Sequence, residues 1–151
     1  MAEHNTLWVI DTSIVAAWFF TDEPYREQSI AVKSAVGNNP ANFIVPLLFY
    51  SELVHVLARK SRRDLEFVQS ALGLVISLGI RTIHPSAKAL ERMAYWSCRG
   101  MSGYDATFVA LAEDLNGLWL TADNVGARLA GRQRATTLDS WVRSASNERT
   151  D

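Results

Sequence analysis

Short, nearly unbroken apolar runs punctuate the chain, separated by longer stretches of helical periodicity. Leu7-Trp8-Val9-Ile10 ends at Asp11, and Phe43-Ile44-Val45 stops at Pro46. Ile80 to His84 ends before Pro85, Leu118-Trp119-Leu120-Thr121 is launched by Asn116-Gly117, and Ala135 to Leu138 is a weaker fifth run. Continuous apolar runs of this length, bounded by turn residues, predict buried parallel strands. Helices are predicted over 24–36 (with Pro24 in the first turn), 47–60, 64–78, 86–98, 103–115, 123–130 and 139–145. In 64–78 the apolar face is read as Leu65, Val68, Leu72 and Val75/Ile76, closed by Gly79, and in 103–115 as Phe108, Leu111/Ala112 and Leu115. Strands alternating with helices imply right-handed crossovers. They predict a three-layer α/β/α sandwich around a central parallel sheet of four to five strands. No linker or repeat divides the 151 residues. One domain is expected over 1–151, with its core in 7–138 and a short C-terminal helix and tail in 139–151.

Composition fits a globular chain: 48% of residues are hydrophobic and 21% charged, which excludes a disordered or collagen-like protein. Cys98 is the only cysteine, so neither a disulfide framework nor a cysteine zinc cluster is available. With no signal-peptide pattern and no membrane-length apolar run, a cytoplasmic location is expected. The net charge of −1 hides an asymmetry. Residues 1–52 hold two basic and six acidic side chains, whereas residues 53–151 hold thirteen basic and ten acidic ones. The second part contains the knot Arg59-Lys60-Ser61-Arg62-Arg63, followed later by Arg128, Arg132 and Arg134. Such a distribution suits an acidic site ringed by cations, although a basic helix end can also simply be solvated.

Ligands of open α/β sheets collect at the carboxyl ends of the strands, and acids stand there. L-W-V-I-D-T ends in Asp11 and L-W-L-T-A-D in Asp123, Glu52 lies one turn inside the helix after the second strand, and Asp105 heads the helix leading to the fourth. Each has a local use as well. Asp11 and Asp123 can cap helices, and Asp105 can belong to a capping box begun by Ser102. Glu52 can face water on a polar stripe with Ser51, His55 and Arg59. Taken together, four carboxylates at ligand-facing positions would repel one another unless a cation intervened. An all-oxygen set without His or Cys selects Mg²⁺ or Mn²⁺ over zinc, and Mg²⁺ ordinarily meets substrate phosphates. Thr12, Ser13 and Thr121 supply hydroxyls for hydrogen bonds around such an ion or to a phosphate oxygen, or for local capping.

Four segments resemble the PIN domain, more narrowly the VapC-type ribonuclease toxins. They are V-I-D-T-S (Val9 to Ser13), S-E-L-V-H-V-L (Ser51 to Leu57), S-G-Y-D-A-T-F-V-A-L-A (Ser102 to Ala112) and T-A-D (Thr121 to Asp123). Their order and approximate spacing hold over residues 7–138. The resemblance implies Asp11, Glu52, Asp105 and Asp123 as metal-binding catalytic acids, hydrolysis of RNA to 5′-phosphate and 3′-hydroxyl ends, a homodimer, and a small cognate antitoxin that blocks the site. Where some members carry a further acid, this chain has Asn124, which bears on a second metal ion. Asp11 and Asp105 are expected as the central ligands.

Around those acids, Arg59, Lys60, Arg62, Arg63 and Arg128 are candidate contacts to the RNA backbone, with a single-stranded or looped segment as the expected target. Of the five tryptophans, Trp8 and Trp119 are expected in the core, Trp18 buried or interfacial, and Trp96 and Trp141 packed rather than stacked on bases. Other classes fit less well. A haloacid-dehalogenase-type phosphatase needs a second Asp where Ser13 stands. A receiver domain wants a Lys near Thr121-Ala122-Asp123. A thiol enzyme has only Cys98, read as structural. His4, His55 and His84 form no ligand spacing. The remaining rivals are a non-catalytic PIN-like binding module and a housekeeping RNA-processing nuclease without an antitoxin.

Overall fold

The computed structural model describes residues 5–148; His4 and the last residues of the expected tail, 149–151, lie outside them. The strands are β1 (Trp8–Ile10), β2 (Phe43–Pro46), β3 (Arg81–Ile83), β4 (Leu118–Thr121) and β5 (Ala135–Thr137). Among them run α1 (Thr12–Ala16), α2 (Arg26–Asn38), α3 (Leu48–Lys60), α4 (Leu65–Ser77), α5 (Ala87–Cys98), α6 (Gly103–Asp114), α7 (Asn124–Ala130) and α8 (Leu138–Asn147). The five strands are all parallel and lie in the order β3-β2-β1-β4-β5. Right-handed crossovers carry α1 to α4 over one face and α5 to α7 over the other, which gives the expected sandwich.

Burial explains which runs became central. Val9, Ile10, Ile44, Val45, Trp119 and Leu120 are fully buried on the three inner strands, whereas Arg81 and Thr82 on the edge strand β3 are exposed. Covered on both faces, inner strands need apolar side chains at nearly every position, so they show no alternation. The same reasoning applies to α6, in which Ala106 to Ala112 are all buried while the helix packs on β1, β2 and β4. A helix apolar all round belongs in the interior. The turn into β4 is set by contact: Asn116 has φ 51°, and a Cβ on Gly117 would stand 2.6 Å from the Leu7 carbonyl oxygen. That carbonyl accepts from the Leu118 N–H at 2.9 Å, so glycine lets β4 close against β1.

Several expectations need correction. Leu65 and Ile76 are 68% and 64% exposed, and the buried stripe of α4 is Val68, Ala71 and Val75. Helix α4, capped by Asp64 whose carboxylate accepts from the Phe67 N–H, packs chiefly on α3, so only the narrower stripe is covered. Helix α2 begins at Arg26, so Pro24 lies in the preceding turn. Cys98 is exposed rather than structural. Trp119, Trp18 and Trp96 are buried, and Trp8 and Trp141 pack partly buried against the core. No helix among the described residues is long and apolar enough to cross a membrane.

Candidate active site

Strand order reverses at β1, since the chain leaves it for β2 on one side and later returns to β4 on the other. The crevice beyond such a switch point is where open sheets bind ligands. Register decides what meets there. Ile10 pairs with Leu120, and the Asp11 N–H donates to the Leu120 carbonyl at 2.9 Å, so Asp11 and Thr121 emerge side by side. The buried Thr121 hydroxyl donates to Asp11 Oδ2 at 2.6 Å and accepts from the Asp123 N–H at 3.0 Å. One hydroxyl therefore ties two acids from distant parts of the chain. Asp11 makes no side-chain cap hydrogen bond to α1 of full geometry, although the Ser13 backbone N–H at the start of that helix helps to lower its pKa.

The other acids arrive on helices. Ser102 caps α6 by accepting from the Asp105 N–H at 3.1 Å, which sets Asp105 in the first turn. Glu52, half-buried in α3, accepts from Thr12 Oγ1 at 3.4 Å. Asp123 caps α7 through Oδ1, which accepts from the Val125 and Gly126 N–H groups at 2.9 and 3.1 Å; its Oδ2 is not used by the cap. Ser13 lies half-buried in α1.

Electrostatics link all four. Asp11 is pushed up from 3.8 to about 7, chiefly by burial and further by the Asp105 and Glu52 charges, against the lowering effect of Thr121. Glu52 is raised by burial and by Asp105, and Asp105 by burial and by Asp123. Among the described residues no Lys or Arg forms an ion pair with any of these four; the salt bridges formed serve Asp22, Glu23 and Glu113. Neither do any three His, Cys, Asp or Glu side chains among the described residues form a ready-made metal cage.

The basic candidates divide. The Lys60 ammonium is held by Glu23 at 2.5 Å and Asp22 at 3.4 Å, over the Phe20 ring, so it fastens the 20–23 loop to α3. Arg59, Arg62 and Arg63 are exposed around a groove beside His55. Arg128 is exposed in α7, with its Nε donating to the Asn124 carbonyl. Two residues were not visible in the sequence pattern. Tyr25 stands at the rim, its phenol pushed up by burial and by the Glu23 and Asp11 charges. Gly126 is packed so closely that a Cβ would lie 2.9 Å from both Asp123 Oδ2 and the buried Trp119 ring. Because Trp119 cannot yield, Gly126→Ala is expected to displace the Asp123 carboxylate. The substitution should weaken the α7 cap by about 1 kcal/mol, read as a lower melting temperature together with reduced activity.

These features define a class. The chain matches the PIN domain over residues 8–132, and it belongs to that family. Solved structures share the fold. The sarcin–ricin-loop-cleaving toxin VapC20 of Mycobacterium tuberculosis is 19% identical, with a TM-score of 0.62 over 79% of this chain and 92% of that one. PAE2754 of Pyrobaculum aerophilum is 17% identical, with a TM-score of 0.69 over 94% and 91%. VapBC2 of Rickettsia felis, bound to a DNA fragment from its promoter, is 14% identical, with a TM-score of 0.63 over 87% and 98%. No curated protein matches the sequence.

Proposed function

We propose that the chain is a divalent-metal-dependent endoribonuclease and the toxin of a toxin–antitoxin pair. One observation carries the reading. Burial and mutual repulsion raise Asp11, Glu52 and Asp105 from their ordinary values at one crevice, and no Lys or Arg among the described residues pairs with them. A protein that needed these acids only as caps would gain nothing from gathering them.

The donor set fits Mg²⁺ or Mn²⁺. It is all oxygen, and Mg²⁺ is usually held by one or two carboxylates plus water and substrate phosphates rather than by an all-protein cage. Asp11 and Asp105 are assigned as the central ligands, with Asp123 Oδ2 and Glu52 completing the acidic wall. When bound, the ion supplies Lewis acidity at the phosphodiester and a more acidic water. Glu52, kept in place by Thr12, orients the attacking water. Thr121 holds Asp11 in place through its hydrogen bond to Oδ2, and Ser13 offers a hydroxyl to a phosphate oxygen. Arg128, one turn beyond Asp123, extends the cationic rim.

The structural neighbours support the toxin assignment: VapC20 is a sarcin–ricin-loop-cleaving toxin, and VapBC2 is bound to a DNA fragment from its promoter. The proposed partners are therefore an RNA substrate, a small antitoxin and a second copy of the chain. Purified protein is expected to cleave RNA with Mg²⁺ or Mn²⁺ and to stop when EDTA is added. Cleavage that persists in EDTA, or binding without cleavage of any RNA supplied, overturns the metal-nuclease assignment. Growth arrest on expression, relieved by the adjacent small gene, tests the toxin assignment separately.

A further inference from the structure

The C-terminus of α3 closes in an unusual way. The Arg62 N–H donates to the Arg59 carbonyl and the Arg63 N–H to the Ala58 carbonyl at 2.7 Å, the paired bonds of a Schellman turn. Glycine is the ordinary choice in such a turn because its backbone is left-handed. Here the two positions are Arg62 at φ 58° and Arg63 at φ 67°. Two consecutive long cationic side chains thus occupy a conformation that L residues rarely adopt. Backbone strain of this kind persists where a site over-determines it.

The strained turn borders a groove of about 580 Å³ lined by His55, Ala58, Arg59, Arg62 and Arg63. Among the described residues none of these arginines forms an ion pair. The adjacent acid, Asp64, is occupied in capping α4. Lys60, from the same knot, instead clamps the 20–23 loop. The groove also lies in line with the acidic crevice: Glu52, His55 and Arg59 follow one another along α3, and helical rise puts Arg59 about 10 Å beyond Glu52.

We propose that this groove grips the phosphodiester backbone of the substrate strand away from the scissile bond, with Arg59, Arg62 and Arg63 as its cations. The assignment rests on the nuclease reading for the identity of the strand. Guanidinium groups match phosphate oxygens bidentately, and a turn that forces two of them outward pre-orders the grip.

The test is fluorescence anisotropy with a labelled oligouridylate of about 12 nucleotides, in EDTA so that binding is read without cleavage, over a range of KCl concentrations. Each single-strand phosphate neutralised contributes about 0.7 to the salt slope, so Arg59→Ala/Arg62→Ala/Arg63→Ala is expected to flatten it by about 2. Arg62→Gly/Arg63→Gly supplies the control for folding. Relief of the left-handed strain should raise the melting temperature, while the salt slope flattens by about 1.4. Folded variants with unchanged slope and affinity overturn the proposal and leave the groove to an acidic peptide. Because the binding readout needs no turnover, failure to cleave RNA defeats the nuclease reading alone.

Discussion

Asp11→Asn is expected to abolish metal-dependent cleavage and, in EDTA at pH 8, to raise the melting temperature of the chain. The two effects have one origin. Asp11 titrates at about 7 in the folded chain, against an ordinary 3.8, because burial and the Asp105 and Glu52 charges disfavour its anion. The folded chain therefore holds a proton that the unfolded chain has lost, so stability falls as pH rises from about 4 to about 7 and is level beyond. The full difference corresponds to up to about 4 kcal/mol, on the order of 10 °C in melting temperature for a chain of this size. Asparagine keeps the shape and can still accept from Thr121 but carries no charge, so the variant should lack this pH dependence and match the unaltered chain near pH 4. Adding Mg²⁺ should stabilise the unaltered chain and not the variant. Activity should fall at least about 100-fold, since even groups that merely support a metal ligand can be worth that much. Identical pH–stability curves for the two proteins would show that burial and the neighbouring acids do not hold Asp11 protonated in the folded chain.

Much of this architecture could be read before any coordinates. The strands were legible because burial on both faces demands unbroken apolar text, as in Trp119 and Leu120 or Ile44 and Val45. Asp11 and Asp123 were legible because each ends such a run, and Asp105 because Ser102 announces the helix start that carries it. What escaped depends on contacts between distant segments. Nothing local tells that Lys60 turns to Glu23 while its neighbours Arg59 and Arg62 do not. The rotation of α4, which leaves Leu65 and Ile76 in solvent, follows from packing chiefly on one neighbour, α3. Tyr25 is brought to the rim by the loop whose acids, Asp22 and Glu23, hold Lys60 of α3. The left-handed arginines ran against expectation for a physical reason: sequence propensity places glycine in such a turn, and only the backbone itself reveals the exception.

The hydroxyl that joins two of the acids makes the sharpest prediction about how the site is tuned. Thr121→Val preserves volume and β-branching but removes both the donor to Asp11 Oδ2 and the acceptor for the Asp123 N–H. Loss of the first bond takes away the main influence that lowers Asp11, so its pKa should climb further above about 7. Loss of the second leaves a half-buried N–H unpaired, at a cost of about 1–3 kcal/mol. With the proton and the metal ion competing for the same carboxylate, the valine variant should need about 10-fold more Mg²⁺ for half-maximal cleavage at pH 7. That difference should shrink as pH rises and Asp11 deprotonates in both proteins. Thr121→Ser, which keeps the hydroxyl, should restore the Mg²⁺ requirement. A defect in the valine variant that is the same at every pH would mean that Thr121 acts by fixing the backbone at Asp123, and that Asp11 owes nothing of its ionisation to this bond.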